Sequence, residues 1–174
     1  MRRKKDERSH GPAHALKVGP SGTLYLAYAD PVQGRGFNIL FTKSTNNGTS
    51  WSTPVSLNSD TTSRDQFHPT LSVGSNGAGG DKVTVTWYDR RDDPANCLAN
   101  VYGTVSTDSG ATWSPNVKLT MAQSNFDGNP NGPGDYSSST PFAANVWPFF
   151  SDHRASNPET SSGGQYDVYT APIQ

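Results

Sequence analysis

The chain has 174 residues, of which 32% are hydrophobic, and its 17 glycines and 13 prolines are typical of short strands joined by many turns. Its formal net charge of −1 at pH 7 argues against a nucleic-acid or membrane-surface partner for the body of the chain. No segment approaches the roughly 18 consecutive apolar residues of a membrane span, and a lone cysteine, Cys97, excludes an internal disulfide.

The first segment, residues 1–12, is basic at its start, with Arg2, Arg3, Lys4 and Lys5. A short charged run of this kind predicts a disordered tail, which we favour over a nucleic-acid-binding arm. No apolar stretch follows the basic residues, so this chain is predicted to carry no secretory signal peptide.

Three similar units follow the tail, with a period of about sixty residues. Each unit has an apolar, aromatic-rich run that ends in Asp, at 22–30, 81–89 and 145–152. A second run follows after a loop, at 37–44, 99–106 and 166–173. No stretch sustains the 3.6-residue apolar period of an amphipathic helix, so the units are predicted to consist of strands.

The second unit shows the pattern most fully. Turns and loops separate four short strands, at 68–73, 82–89, 100–106 and 117–120, and the alternation of Val and Thr at 83–86 indicates a half-buried strand. Four short antiparallel strands, repeated at this length, predict the blades of a β-propeller.

The predicted fold class is therefore all-β, built of four-stranded antiparallel blades. The chain is predicted to form an incomplete ring of two full blades and one partial blade. The first blade covers 13–60, the second 61–121 and the partial third 122–174.

Two eight-residue motifs mark equivalent turns of the first two units. "STNNGTSW" at 44–51 has Asn46 where "STDSGATW" at 106–113 has Asp108. Because Asn and Asp both accept backbone hydrogen bonds in a tight turn, this exchange favours a structural role over a catalytic carboxylate. The residues predicted to build the two turns are Ser44, Asn46, Gly48 and Trp51, and Ser106, Asp108, Gly110 and Trp113.

The second motif has the full pattern Ser-x-Asp-x-Gly-x-Thr-Trp, and the first departs from it at Asn46 and Ser50. With these motifs the chain resembles the Asp-box, or bacterial neuraminidase repeat, family of sialidase-like β-propellers. The resemblance implies an extracellular or periplasmic location and a glycan or glycoconjugate as the ligand.

In a four-stranded blade, the turns between strands 1 and 2 and between strands 3 and 4 lie at one end, here called the box end. The remaining connections lie at the opposite end, here called the loop end. The turns at the box end are short and almost uncharged, whereas the loop end carries longer, charged connections. We therefore predict any binding site at the loop end, with Arg64, Arg90, Arg91 and Arg154 as candidate substrate-binding residues.

Asp89-x-Arg91 and Asp152-x-Arg154 repeat at the end of strand 2 in successive units. The recurrence favours carboxylate–guanidinium pairs that fix each loop to its neighbour. The alternative is that Arg91 and Arg154 bind the carboxylate of a substrate. Both arginines stay candidates for either role.

The resemblance to sialidases also implies a catalytic set, namely arginines that bind the carboxylate of sialic acid, a tyrosine nucleophile activated by a glutamate, and an aspartic acid. The matching residues are Tyr136, Glu159 and Asp135. The sequence has no Arg-Ile-Pro-like motif, which such enzymes usually carry near the first blade, and Tyr136 also fits a packed strand-edge aromatic. We favour a binding or scaffold role over an exo-sialidase, with a structural interaction module as the third alternative.

Residues 127–132, "DGNPNG", match the first half of a calcium-binding loop, with Asp127, Asn129, Asn131 and Asp135 as candidate ligands. Ser138 stands where that pattern has Glu, and the prolines favour a rigid loop instead. The chain is predicted to require no cofactor, with calcium as the alternative.

Three units do not close a ring, because propellers use about four to eight blades. The third unit lacks the motif and a fourth strand, and open blade edges invite association. The sequence favours a segment of a larger propeller, whose remaining blades complete the ring. The alternative partner is a second copy of the chain.

Overall fold

A computed structural model describes residues 13–126, 138–142, 145–152 and 167–170. The regular structure within these ranges is β-strand throughout, arranged in antiparallel sheets. This confirms the all-β prediction. No helix of the described ranges has the length and apolar character that a membrane crossing requires. The basic tail, residues 1–12, lies outside the described residues.

Sheet 1 contains four antiparallel strands in chain order, β1 (His14–Val18), β2 (Leu24–Val32), β3 (Gly36–Ser44) and β4 (Val55–Ser56). Buried and half-buried residues alternate along the first six residues of β2. This is because successive side chains point to opposite faces of a strand, and one face of sheet 1 packs against the rest of the molecule.

Sheet 2 repeats this order with β5 (Gln66–Ser75), β6 (Asp81–Asp89), β7 (Leu98–Ser106) and β8 (Val117–Lys118). A further short strand, β9 (Ser124–Asn125), pairs with the start of β7. All but one residue of β6 is buried, because hydrophobic cores lie on both faces of sheet 2. The prediction of a half-buried strand at 83–86 is therefore wrong, since both faces of β6 are covered.

Sheet 3 contains β10 (Ser138–Phe142), β11 (Asn145–Asp152) and β12 (Asp167–Thr170). The three strands are antiparallel, and β11 is the central one. Sheet 3 supplies Phe150 to the core on one face of sheet 2. Sheet 2 therefore lies between sheets 1 and 3.

The first core lies between sheets 1 and 2. Tyr25 and Phe41 of sheet 1 stack with 6.1 Å between ring centroids, and Trp87 of sheet 2 is fully buried in the same cluster. Each aliphatic side chain buried here contributes about 1.5–3 kcal/mol. The other buried members are Ala27, Ala29, Ile39, Leu57, Leu71, Val83, Val85 and Tyr102.

The second core lies between sheets 2 and 3 and is mainly aromatic. Phe67 and Tyr88 stack at 5.4 Å between ring centroids, and Tyr88 meets the edge of Phe126 at 5.2 Å. Phe150 of β11 completes this cluster with Ala99 and Val101. The two cores hold the sheets face to face.

Candidate functional site

At the box end, the first motif folds into a hydrogen-bonded turn after β3. The Ser44 hydroxyl donates to Asn46 Oδ1 at 2.9 Å, and the Gly48 N–H donates to Ser44 Oγ at 3.0 Å. Asn46 Oδ1 also accepts from the Ser50 N–H at 2.9 Å, while its Nδ2 donates to Ser50 Oγ at 2.8 Å. Gly48 has a φ of 83°, which glycine adopts at little cost. The asparagine thus uses both ends of its amide within the turn.

The second motif forms the same turn after β7. The Ser106 hydroxyl donates to Asp108 Oδ1 at 2.8 Å, and the Gly110 N–H donates to Ser106 Oγ at 2.8 Å. The Thr112 hydroxyl donates to Asp108 Oδ2 at 2.6 Å, and the Thr112 N–H donates to Oδ1 at 2.8 Å. These bonds, led by the one from the Thr112 hydroxyl, hold the pKa of Asp108 far below its usual range. The carboxylate is therefore ionised at neutral pH and is occupied by donors of its own turn.

The second motif also contacts sheet 1. Trp113 meets the edge of Phe41 at 4.8 Å between ring centroids, and a Cβ on Gly110 would lie 2.7 Å from the Phe41 ring. Lys43 Nζ donates to the Ser109 carbonyl at 2.7 Å. The turn is therefore part of the interface between neighbouring sheets.

Asp81, the first residue of β6, ties the two sheets together at the same end. Its carboxylate is fully buried and accepts from the N–H and hydroxyl of Ser21 and from the Tyr25 hydroxyl at 2.9 Å. Burial and the bond to Asp81 raise the pKa of Tyr25. Gly19 lies so close to this carboxylate that a Cβ would overlap it. Internal contacts therefore fill the box end between sheets 1 and 2.

Asp108→Asn is expected to leave Tm within about 2 °C of the wild type, because Asn46 already fills the equivalent position of the first turn. Asp108→Ala removes the acceptor for Ser106 and Thr112, so we expect it to lower Tm by about 2–4 °C. Calorimetry at pH 7 measures both shifts. An Asn variant less stable than the Ala variant would contradict the structural role of the turn.

At the loop end, Asp65 joins three connections. Its carboxylate accepts from Asn96 Nδ2 at 2.7 Å and from the Phe37 N–H at 3.1 Å, and Asn96 Oδ1 accepts from the Asp65 N–H at 2.9 Å. Asn96 has a φ of 58°, and a Cβ on Gly36 would lie 2.8 Å from Asp65 Oδ1. The junction fixes the β2–β3 turn, the β4–β5 loop and the β6–β7 loop against one another.

Arg91 lies between sheets 1 and 2 at the loop end. Its guanidinium donates to Asp89 Oδ2 at 2.6 Å and to Asn116 Oδ1 at 3.1 Å, and its Cζ lies 4.2 Å from the centre of the Tyr102 ring. Asp60, which follows β4, places a second carboxylate 3.8 Å away. The Asp89–Arg91 pair expected from the sequence is present, and Asp89 is fully buried. Substrate binding by Arg91 stays a prediction.

Arg90 lies on the other face of sheet 2, at the second core. Its Cζ lies 5.0 Å from the centre of the Phe67 ring, and NH1 donates to the Asn96 carbonyl at 3.0 Å. The Nε of Arg90, like those of Arg35 and Arg91, is buried and has no hydrogen-bond partner among the described residues. His68 has a φ of 49° at an irregularity of β5, and its ring contacts those of Phe67 and Tyr88. A half-buried arginine, an aromatic cluster and a half-buried histidine thus meet where β5 begins.

Arg64 lies in the β4–β5 loop, close enough to act electrostatically on Asp93 of the β6–β7 loop. Asp93 Oδ2 accepts from the Leu98 N–H at 2.7 Å and from the Cys97 N–H at 2.8 Å. The hydrogen bond from the Leu98 N–H, then that from the Cys97 N–H, and the charge of Arg64 lower the pKa of Asp93, although burial of the carboxylate raises it. Asp93 therefore fixes the loop that carries both candidate arginines of sheet 2.

The stability of the fold is expected to fall in acid. Burial raises the pKa of Asp60, but hydrogen bonds, first that from Thr62, outweigh it and lower the pKa. The pKa of Asp92 is lowered in the same way, with Tyr102 as the first donor. The pKa of Asp93 is also lowered. A carboxylate with a lowered native pKa stabilises the fold above its unfolded pKa, and this contribution is lost as pH falls through the native pKa. Tm is expected to be level from about pH 5 to 8 and to fall below about pH 4.

A thermal scan at each pH measures this, and Asp93→Asn is expected to show a shallower fall in acid than the wild type. A wild-type Tm that is unchanged or higher at pH 3 would contradict the prediction.

Seven predicted site residues lie outside the described ranges: Asp127, Asn129, Asn131, Asp135, Tyr136, Arg154 and Glu159. Their catalytic, substrate-binding and calcium-binding roles stay predictions. Within the described ranges, no three His, Cys, Asp or Glu side chains form a group that could hold a metal ion.

Asp65, Asn96 and Phe67 lie at the loop end and are not among the predicted site residues. The Asp65–Asn96 bond joins residues 31 positions apart, and the β4–β5 loop contains two carboxylates, Asp60 and Asp65, that the sequence does not distinguish. A positive φ is common for Asn, which was the one local signal for Asn96. The sequence contains no comparable signal for the stacking of Arg90 on Phe67.

The sheet arrangement matches solved structures. An α-L-arabinanase from Penicillium chrysogenum in complex with arabinobiose aligns over 92% of this chain with a TM-score of 0.59 and 15% identity. The fold is a β-propeller. Sheet 1 and strands β5 to β8 of sheet 2 form two four-stranded blades, and sheet 3 belongs to a third, so the predicted fold class is confirmed. No protein-family model and no curated protein sequence matches the chain.

Two further β-propeller glycosidases show the same likeness. A GH93 α-L-arabinofuranosidase of Fusarium graminearum, solved with arabinobiose, aligns over 92% of this chain with a TM-score of 0.56 and 16% identity. A mutant NanB sialidase from Streptococcus pneumoniae aligns over 88% with a TM-score of 0.53 and 16% identity. The chain spans 46%, 45% and 20% of the arabinanase, arabinofuranosidase and sialidase chains, less than half of each.

Proposed function

We propose that this chain supplies the blades of a sialidase-like Asp-box propeller and binds a glycan at its loop end. The proposed blades cover 13–60, 61–121 and 122–174. An extracellular or periplasmic location accompanies this role, because glycans and glycoconjugates are the ligands that the resemblance implies.

The observation that carries the proposal is the cluster of Arg90, Phe67 and His68 where β5 begins. The Arg90 guanidinium stacks on Phe67 and keeps a buried Nε without a partner in the described residues. Guanidinium groups donate several hydrogen bonds in a fixed geometry, and binding sites combine apolar and aromatic surface with a few polar groups that fix the ligand. Phe67 is itself only 4% exposed, so it holds the guanidinium in place. The partly exposed Arg90 and His68 are the residues proposed to contact the hydroxyl or carboxylate oxygens of a sugar.

The difference between the two ends supports the same conclusion. At the box end, Asp108 and Asp81 are held by hydrogen bonds within the protein. At the loop end, Arg90 and His68 are partly exposed and lie next to connections that the Asp65–Asn96 junction fixes. Binding residues are commonly found on loops that a rigid scaffold positions.

The alternative is a glycoside hydrolase of the exo-sialidase type. It requires Tyr136 and Glu159 as the nucleophile pair, Asp135 as the acid, and Arg91 and Arg154 on the substrate carboxylate. The Arg91 guanidinium is held by Asp89 and Tyr102, which favours the binding or scaffold role. A purely structural interaction module is the third candidate and predicts no glycan binding at all.

Calorimetric titration with arabinobiose and with sialyllactose tests the binding proposal. We expect the chain to bind at least one of them, and Arg90→Ala to weaken that binding by about tenfold or more. Lys43→Ala removes a cation at the box end and is the matched control, for which we expect unchanged affinity. Because no cofactor is proposed, EDTA is expected to leave the affinity unchanged.

The results that contradict the proposal are specific. Absence of binding to both sugars, or equal binding by the Arg90 and wild-type proteins, would overturn it. Loss of binding in EDTA would favour the calcium alternative. Release of the fluorophore from a fluorogenic sialoside, abolished by Tyr136→Phe, would favour the hydrolase.

A further inference from the structure

Sheet 1 has one face that no other sheet of the described residues covers. Strand pairing places Leu16 beside Leu26, and Val18 beside Leu24, on this face. Tyr28 and Leu40 are a further pair on it. Leu16 is 53% exposed and Val18 is 64% exposed. These six residues define the uncovered face of sheet 1.

The equivalent face of sheet 2 is covered, and sheet 1 covers it. Leu71 pairs with Val85 in β5 and β6 as Leu16 pairs with Leu26 in β1 and β2. Leu71, however, is 2% exposed and belongs to the first core. The partner that suits the uncovered face of sheet 1 is therefore another blade, through the face equivalent to the one by which sheet 1 packs on sheet 2. We call this equivalent face of any blade its far face.

The two motif tryptophans lead to the same conclusion. Trp113 packs on Phe41 of the preceding sheet, where Gly110 also fits closely. Trp51 holds the same place in the first motif but is 40% exposed, and Gly48 has only a Leu24 methyl near the position of a Cβ. The first motif therefore lacks the contact with a preceding sheet that the second motif makes, and none of sheets 1 to 3 provides it.

The complementary surface is on sheet 3 of the same chain. Phe150 packs into the second core, so the adjacent Phe149 points to the opposite face of β11, and it is 39% exposed. The face of sheet 3 that carries Phe149 is equivalent to the face of sheet 1 that packs on sheet 2, and is therefore the far face of sheet 3. One chain therefore carries both halves of one blade-to-blade contact.

We propose that the uncovered face of sheet 1 binds the far face of sheet 3 in a second copy of this chain, head to tail. Two such contacts close a ring of two copies, because a head-to-tail interface closes when its rotation completes a circle. The aligned part of this chain covers 46% and 45% of the two arabinose-related structural neighbours, so the aligned parts of two copies would cover about nine-tenths of either. This proposal rests on the fold and is independent of glycan binding.

Light scattering after size exclusion measures the mass of the assembly. We expect twice the 18.7 kDa of one chain, with a concentration-dependent return to monomer on dilution. Leu16→Asp and, separately, Val18→Asp place a charge in the interface and are expected to raise the dissociation constant by about tenfold or more. Both side chains are exposed in the single chain, so circular dichroism is expected to show an unchanged fold.

Met121→Asp is the matched control, because Met121 is fully exposed, lies away from the uncovered face of sheet 1 and undergoes a comparable apolar-to-acid change. It is expected to dimerise like the wild type. A wild-type monomer at every concentration would overturn the proposal. The uncovered face of sheet 1 would then be expected to bind a blade of a different polypeptide. Equal dimerisation of the Leu16, Val18 and Met121 variants, or open chains of increasing mass, would also overturn it.

Discussion

Arg91→Ala is expected to lower the free energy of unfolding by about 3–5 kcal/mol, because removal of one partner of a buried ion pair leaves the other without its counter-charge. The charge is that of Asp89, which is fully buried and accepts hydrogen bonds from Arg91 and from Trp87 Nε1 at 2.7 Å. The variant also loses the guanidinium that stacks on Tyr102. Urea unfolding at pH 7 measures the change, and we expect Tm to fall by about 6 °C or more.

Lys118→Ala is the matched control for the Arg91 variant. Lys118 is 49% exposed and pairs with Asp92 at 3.4 Å, and exposed ion pairs contribute about 0–1 kcal/mol. A small loss is therefore expected for Lys118 and a large one for Arg91. If Arg91→Ala keeps wild-type stability but loses glycan affinity, Arg91 is a ligand-binding residue and the structural assignment is wrong.

Gly110→Ala is expected to destabilise the fold by about 2–5 kcal/mol through two separate effects. A side chain at the φ of 77° costs about 1–2 kcal/mol. The new Cβ would also lie 2.7 Å from the buried Phe41 ring, and such overpacking costs about 1–3 kcal/mol. Urea unfolding again measures the loss.

Gly48→Ala separates the two effects. Its φ is 83°, but the nearest atom to the new Cβ is a Leu24 methyl carbon at 3.7 Å, an ordinary contact. Only the backbone cost of about 1–2 kcal/mol is expected there. Equal losses at Gly48 and Gly110 would show that the second motif does not pack against sheet 1 as described.

Much of the local structure could be predicted from the sequence. The motif turns depend on residues within seven positions, so Gly48, Gly110 and their serine and Asx partners could be predicted from turn chemistry. The strands could be predicted from their short apolar runs, and the repeat showed that neighbouring sheets have the same order.

The burial of β6 and the directions of the arginines needed the assembled fold. The hydroxyls of Thr70 and Thr86 hydrogen-bond at 2.6 Å, which allows Thr to stay inside a doubly covered strand, whereas the sequence pattern indicated a solvated face. Position in the sequence places Arg90 and Arg91 together in the connection after β6. It does not identify Phe67 and Tyr102 as the rings on which they stack.

The central claim is that the two ends of each blade have different roles, with structural contacts at the box end and ligand binding at the loop end. The most direct test is a titration of the isotope-labelled protein with arabinobiose and with sialyllactose, followed by the backbone amide signals. We predict shifts at His68, Arg90 and Asn96 and unchanged signals at Gly48 and Gly110. Shifts confined to Gly48, Gly110 and their motif neighbours, or no shifts with either sugar, would contradict the account.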